Sequence, residues 1–509
     1  MERVRELAVL EPDKEAIRFP ALNLAITYSQ LNERANRVAH WLVSVGLQAG
    51  DGIALLFENH PVIAEIAIGA ERSGLYYTPI STQLKTREIA HVLKDCGARV
   101  LIVSAAMRQL AQTLVDAGGT AGVTCFMVGG TAPGFASYEA AIAQTDPSRQ
   151  LPFRDQGCDF LYSSGTTGLP KGIRTPLIPY GMRGEDLPEN KSLRETFGFD
   201  ADSIYLSTAP LYHAAPLRYL MRMLMFGGRS VVLQKFDPEA ALDAIERYRV
   251  THSQWVPTMF VRLLNLSDEA RARYDLSSLR VAIHAAAPCP PSVKEQMIDW
   301  FGPVIFEYYS GSESVGVTAI DSHEWLTHRG SVGRAICGVL HILDDDDREL
   351  PPGEIGRVFF SDGPTFEYHN DPVKTRAVHN DRGWATYGDI GHVDADGYLY
   401  LSDRRVDLII SGGVNVYPQE VENVLSEHPA VGDVAVIGVP NVEFGEEVKA
   451  IVQTREPTTA SPALAADLIA FCRDRLSNIK APRTVEFVDA LPRHDNGKML
   501  RRILKERFR

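Results

Sequence analysis

Tyr162-Ser163-Ser164-Gly165-Thr166-Thr167-Gly168-Leu169-Pro170-Lys171-Gly172 is the stretch on which the reading of this chain turns. Three glycines, four hydroxyls and one lysine stand in eleven residues, directly after apolar Phe160-Leu161. Glycine lets a backbone turn tightly and bring its N–H groups close to a ligand. Hydroxyls and a lysine add donors for phosphate oxygens. By composition alone such a cluster is a polar surface loop, and the residue order makes it more specific. It is not the P-loop of common NTPases, because Lys171 is followed by Gly172 where that pattern needs Ser or Thr.

The length of 509 residues exceeds what one core organises and implies two or more domains. A 45% hydrophobic and 23% charged composition places the chain among ordinary globular proteins. A net charge of −13 gives no overall pull on nucleic acid or acidic membrane, so neither is expected as a partner. The start, Met1-Glu2-Arg3-Val4-Arg5-Glu6, lacks the apolar core of a signal peptide. No apolar run approaches the ~20 residues of a membrane-spanning helix. Cysteines 96, 125, 158, 289, 337 and 472 show no CxxC pairing. Scattered thiols argue against a disulfide scaffold or zinc site and fit a cytoplasmic location.

Periodicity predicts alternating helices and strands. Thr27-Tyr28-Ser29-Gln30 reads as a capping box, with Leu31, Ala35, Val38, Leu42 and Val45 as the helical stripe behind it. Strand-like runs stand at 52–57, 99–104, 230–233 and 280–283, and helices at 61–72 and 238–248. Such alternation predicts an α/β fold of layered sheets covered by helices. Residues 171–202, rich in Pro, Gly and charge, read as irregular. Asp344-Asp345-Asp346-Asp347 lacks calcium-loop spacing and reads as a solvated turn. His323-Glu324 and His328 miss the metalloprotease spacing by one residue. A small α+β lid is expected after the junction near Leu401–Asp407, giving a large domain over 1–402 and a lid over 403–509.

The opening string resembles the signature of the adenylate-forming family, which includes acyl-CoA synthetases, luciferases and peptide-synthetase adenylation domains. Five further stretches agree in order. Glu307-Tyr308-Tyr309-Ser310-Gly311-Ser312-Glu313 resembles the second signature, with Ser312 where Thr is usual. His284-Ala285-Ala286-Ala287-Pro288 resembles the small-residue turn, with Ala285 where Gly is usual. Gly383-Trp384-Ala385-Thr386-Tyr387-Gly388-Asp389, Asp396–Arg404 and Leu491–Lys498 complete the set. The resemblance runs from about Thr27 to Lys498.

It implies the following roles. Ser163, Ser164, Gly165, Thr166, Thr167, Gly168 and Lys171 grip ATP phosphates. Ala285 and Ala286 wall the adenine, on which Tyr309 stacks. Ser312 contacts phosphate, and Glu313 holds Mg2+. Asp389 takes the ribose hydroxyls, and Arg404 contacts ribose and phosphate. Lys498, His213 and Thr167 carry catalysis, Lys498 by bridging the substrate carboxylate and the α-phosphate. Tyr212, His213, Ala285, Tyr308, Ser310 and Gly311 shape the acyl pocket, and Ser411, Gly412 and Gly413 line the CoA tunnel. Val406 falls where the family's hinge usually carries Asp or Lys.

The activity implied is acyl-CoA ligation in two steps, through acyl-AMP, with ATP, Mg2+ and coenzyme A. Family members restricted to acetate place a tryptophan where this chain has Ser310. Small Ser310 and Gly311 therefore predict an open pocket for a medium-to-long fatty acid, or for an arylpropenoic acid of the coumarate or ferulate kind. Two alternatives stay open: transfer to a carrier protein instead of CoA, and a nucleotide-binding protein without catalysis. The oligomeric state, a homodimer included, is also open.

Overall fold

The capping box forms as read: the Thr27 side chain accepts from the Gln30 N–H, and Gln30 answers at the Thr27 N–H. The helix Tyr28–Ser44 buries Leu31, Ala35, Val38 and Leu42, whereas Val45 caps its end half-exposed. The computed structural model describes residues 2–146, 151, 153–163, 169–404, 407–411, 414–441, 444–456, 459–494 and 497–508, with the backbone alone for Ser163, Asp403 and Arg404.

Among the described residues, two large sheets organise the first part of the chain. One has six parallel strands, in which Gly52–Leu56 lies between Ala98–Ser104 and Tyr76–Ile80. The other has nine strands, and its centre runs Ile305–Tyr309, Val281–His284, His252–Trp255, Ile204–Ser207 in parallel register. Both read as near-continuous apolar runs because helices cover both faces of a parallel sheet. Two smaller antiparallel sheets follow. Glu367–Tyr368, Lys171–Arg174 and Leu161–Ser163 form one. Val339–Leu343, Gly356–Ser361, Asp389–Val393 and Leu399–Arg404 form the other.

The C-terminal residues build their own five-stranded sheet around Val431–Asn441 and Gly445–Thr454, with the helices Pro418–Ser426 and Pro462–Arg473. Their core, from Ile409 to Ala481, is separate from the larger ones. The strand Leu399–Arg404 stays in the four-stranded sheet two residues beyond the boundary at 402.

One expectation is corrected. Residues 171–202 are not irregular throughout: Lys171–Arg174 is a strand, and Pro188–Phe197 is a helix. Pro188 opens that helix, Asn190, Leu193 and Phe197 bury one face, and Gly198 ends it in the left-handed conformation. Its density of charge and proline hides a three-residue stripe. The acidic run is a turn, with Asp344 accepting from the Asp346 and Arg348 N–H groups and Asp347 paired to Arg357 at 2.6 Å.

Candidate active site

The opening motif is held at both ends by a hairpin. Lys171 pairs with Ser163 and Gly172 with Tyr162. The Tyr162 hydroxyl donates to Asp95 at 2.6 Å, and the Asn370 amide donates to the other oxygen of Asp95 at 3.2 Å. Gly172 has no room for a side chain, since a Cβ would meet the Phe160 and Tyr162 rings at 2.8–2.9 Å. Ser164, Gly165, Thr166, Thr167, Gly168, Gly412 and Gly413 lie outside the described residues, as does Val406.

The strand Ile305–Tyr309 delivers the second motif. Strand alternation sends Phe306 and Tyr308 to one face and Glu307 and Tyr309 to the other. Phe306 and Tyr308 join an aromatic cluster with Phe197 and Tyr219, at ring separations of 5.7 to 6.4 Å. The Tyr309 hydroxyl donates to Asp389 Oδ2 at 2.5 Å. Asp389 itself is 7% exposed and pairs across the ladder with the Arg404 backbone. Beneath Tyr309, the Glu307 carboxylate takes a 2.7 Å bond from Lys294, which is fully buried with its ammonium over the Trp325 ring. Burial raises the Glu307 pKa against the pull of that ammonium. Burial and the same ammonium hold His284, 3.6 Å from Glu307, as neutral imidazole.

Past the strand, the Ser312 carbonyl accepts from Arg218 at 3.2 Å, and Ser314 Oγ lies 3.0 Å from the same nitrogen. Arg218 also pairs with Asp159 at 2.6 Å, in the strand that precedes the opening motif. Glu313 Oε1 accepts from the Tyr368 hydroxyl at 2.7 Å, while Oε2 faces Gly311. A hard divalent cation is held by one or two carboxylates plus substrate phosphates, and a single carboxylate oxygen on this side fits that donor set.

Ser310, which lines the cleft between the two parts of the chain, and Gly311 pack against Tyr387 on one side. Tyr387 fills the space beside them. Ser310 Oγ donates to the Gly316 carbonyl at 3.0 Å and lies 3.1 Å from the Tyr387 hydroxyl, and a Cβ on Gly311 would meet the Tyr387 ring at 2.5 Å. Their smallness is required by that ring.

Tyr212 and His213 stand edge to face at 4.7 Å, where His213 precedes the helix Ala214–Phe226. Their turn is fixed by buried Asn59, whose amide donates to the Ala209 and Leu233 carbonyls and whose oxygen accepts from the Leu211 N–H.

A cleft of about 1380 Å³ separates the two parts of the chain. Ala285, Ala286, Tyr308, Tyr309 and Ser310 line one wall, and Lys498 lines the other. Ala286 adopts a left-handed φ of 76°, costly for a residue with a side chain. Lys498 sits in a turn braced by Arg493, which pairs with Asp433 through two bonds and donates to the Gly497 carbonyl at 2.7 Å. Gly497 presses on the large domain: a Cβ there would stand 2.8 Å from Thr258 Oγ1. Ser411 stands in the C-terminal sheet, and Tyr212, His213, Lys171, Glu313 and Asp389 are not in the cleft wall itself.

Sequence reasoning missed Asn59, Arg218, Lys294, Tyr368 and Lys374. Each works through a partner distant in sequence, so no local pattern marks it.

Residues 4–366 match the family model of the AMP-binding enzyme, and residues 420–498 match that of the AMP-binding enzyme C-terminal domain. Feruloyl-CoA synthase of Amycolatopsis sp is 34% identical over 98% of this chain and 97% of its own. The long-chain-fatty-acid–CoA ligase FadD13 of Mycobacterium tuberculosis is 31% identical over 99% and 97%. ATP-bound MatB from Rhodopseudomonas palustris superposes with a TM-score of 0.85 at 29% identity, covering 99% of this chain and 98% of that one.

Proposed function

We propose a two-step ligation through acyl-AMP for this chain, which belongs to the AMP-binding enzyme family and is an ATP-dependent acyl-CoA ligase. The observation that supports the residue roles is that Tyr309, the Ala285-Ala286 turn and Lys498 line one cleft, with Asp389 bonded to the Tyr309 hydroxyl outside its wall.

In the first step an oxygen of the substrate carboxylate attacks the α-phosphorus of ATP. The bond from that phosphorus to the bridging oxygen breaks, and pyrophosphate leaves with the electron pair. Tyr309 and the Ala285-Ala286 turn sandwich the adenine, and Asp389 accepts from the ribose hydroxyls. Lys498 meets the charge that grows on the α-phosphate and incoming carboxylate, a position where a fixed cation contributes most. Lys171, Ser312 and Thr167 hold the outer phosphates, with Arg404 beside the ribose. Glu313 would hold Mg2+, which would supply neutralisation of phosphate charge. The remaining work is alignment. In the second step the CoA sulfur attacks the acyl carbonyl carbon, AMP leaves and the thiol proton goes to solvent. The CoA arm enters past Ser411, with His213 beside the acyl carboxylate.

The domains are taken as 1–402 and 403–509, the second turning between the steps about the segment around Val406. The acid is an arylpropenoic acid of the coumarate or ferulate kind, ahead of a medium-to-long fatty acid. The Tyr212-His213 pair, edge to face at 4.7 Å, supports that order, because it resembles the aryl-acid branch of the family. Six unpaired thiols support a cytoplasmic setting. The test is a panel of acetate, hexanoate, laurate, cinnamate, coumarate and ferulate, scored for CoA-dependent AMP release. Aryl acids should lead, and a preference for acetate overturns the acid assignment.

A further inference from the structure

Lys374 lies more than two hundred residues beyond the opening motif, yet the fold sets it against Lys171. The strand Lys171–Arg174 pairs with Glu367–Tyr368, placing Ile173 opposite Tyr368. Lys171 is two residues from Ile173, so Lys171 and Tyr368 share one face of this small sheet. The chain then turns at Asp371, whose carboxylate accepts from the Lys374 N–H at 2.9 Å. That turn brings the Lys374 ammonium over the Tyr368 ring, 3.7 Å from its centre. The hydroxyl of the same ring donates to Glu313. One tyrosine thus joins Lys374 to the carboxylate assigned to the metal, on the sheet face that also carries Lys171. Burial and the Lys171 ammonium lower the Lys374 pKa to about 8.

Two ammonium groups brought together repel unless an anion lies between them. The Glu313 and Asp371 carboxylates act on Lys374, but Glu313 is shared with the Tyr368 hydroxyl and Asp371 with the Lys374 N–H, so a further anion is needed between the two lysines. We infer that Lys374 is a second phosphate-binding cation of this site, paired with Lys171 on the β- and γ-phosphates of ATP and on the pyrophosphate that leaves. The ring of Tyr368 holds it there while bonding Glu313, so cation, metal ligand and lysine pair are set by one side chain. The inference rests on the nucleotide site proposed above.

Calorimetry separates the two claims without knowledge of the acid. Wild type, Lys374→Met and Lys374→Arg are titrated with AMP, with the non-hydrolysable α,β-methylene analogue of ATP, and with inorganic pyrophosphate. Loss of one charge-assisted contact should weaken the ATP analogue and pyrophosphate by about ten- to a hundredfold in Lys374→Met and leave AMP unchanged. Lys374→Arg should keep most of the affinity. Unchanged pyrophosphate binding in Lys374→Met, or an equal loss for AMP, overturns the role of Lys374 and leaves the nucleotide site standing. A wild type that binds none of the three removes the site and the inference together. Lys374→Gln, which keeps the stem over Tyr368, gives the same readout if the methionine variant fails to fold.

Discussion

Tyr309 and Asp389, 80 residues apart in sequence, meet through a 2.5 Å hydrogen bond from phenol to carboxylate. The bond links the end of a central strand of the nine-stranded sheet to the start of a strand in the four-stranded one. It sets the ring plane and aims the carboxylate, the two elements a nucleoside needs.

Asp389→Ala should weaken ATP by about 1.5–3 kcal/mol, the worth of a charged hydrogen-bond partner, and leave the fold intact. Calorimetry with the ATP analogue checks it; unchanged affinity takes Asp389 out of the site.

Lys498→Ala should nearly abolish acyl-AMP formation but spare CoA attack on synthetic acyl-AMP, because its charge is needed only while phosphorus is being attacked. Pyrophosphate release and thioester formation are followed separately. Equal losses in both would contradict the assignment.

Arg218→Met should destabilise the chain by about 1.5–3 kcal/mol, since it strands the part-buried Asp159 carboxylate and frees the Ser312 carbonyl. Urea unfolding reads this. The double variant Arg218→Met with Asp159→Leu should recover much of the loss, and if it does not, the pair is not the source.

Ala286→Gly should stabilise the chain by about 1 kcal/mol, because glycine adopts the 76° φ without steric cost. A thermal midpoint that falls would place the strain elsewhere.

Stability should also depend on Glu65, whose carboxyl is pushed from 4.5 up to about 7 by burial, against a 2.9 Å bond from Tyr138. Its folded pKa lies above the unfolded one, so the folded state binds more protons between these values. Stability is therefore highest below about 4.5 and falls as pH rises to about 7, by about 3 kcal/mol for this group. Glu65→Gln should flatten that part of the pH profile. Urea midpoints at pH 5 and pH 8 that decline equally in both proteins would count against Glu65.

The second and third motifs were legible because their chemistry is written in neighbours: Tyr309, Ser312 and Glu313 fall within one turn of chain. The capping-box helix Tyr28–Ser44 and the proline-led stretch 238–248 were legible for the same local reason, whereas proline-led Pro188–Phe197 was hidden by its charge. Arg218 was not, because its partner Asp159 lies 59 residues away. Asn59 reaches carbonyls 150 and 174 residues away, and no spacing rule connects them. The packing of Tyr387, 77 residues on, against Ser310 and Gly311 was likewise not legible, since nothing local reveals it.

Gly497 meets Thr258 where even a methyl group has no place. The missing side chain works as a depth gauge for its neighbour. How far Lys498 reaches toward the opposite wall is set by how closely the Gly497 backbone approaches the Thr258 and Val256 side chains, and a single carbon at 497 would push the turn, and the ammonium with it, away from that wall. The reach of the lysine is thus decided one residue before it, by an atom the chain leaves out.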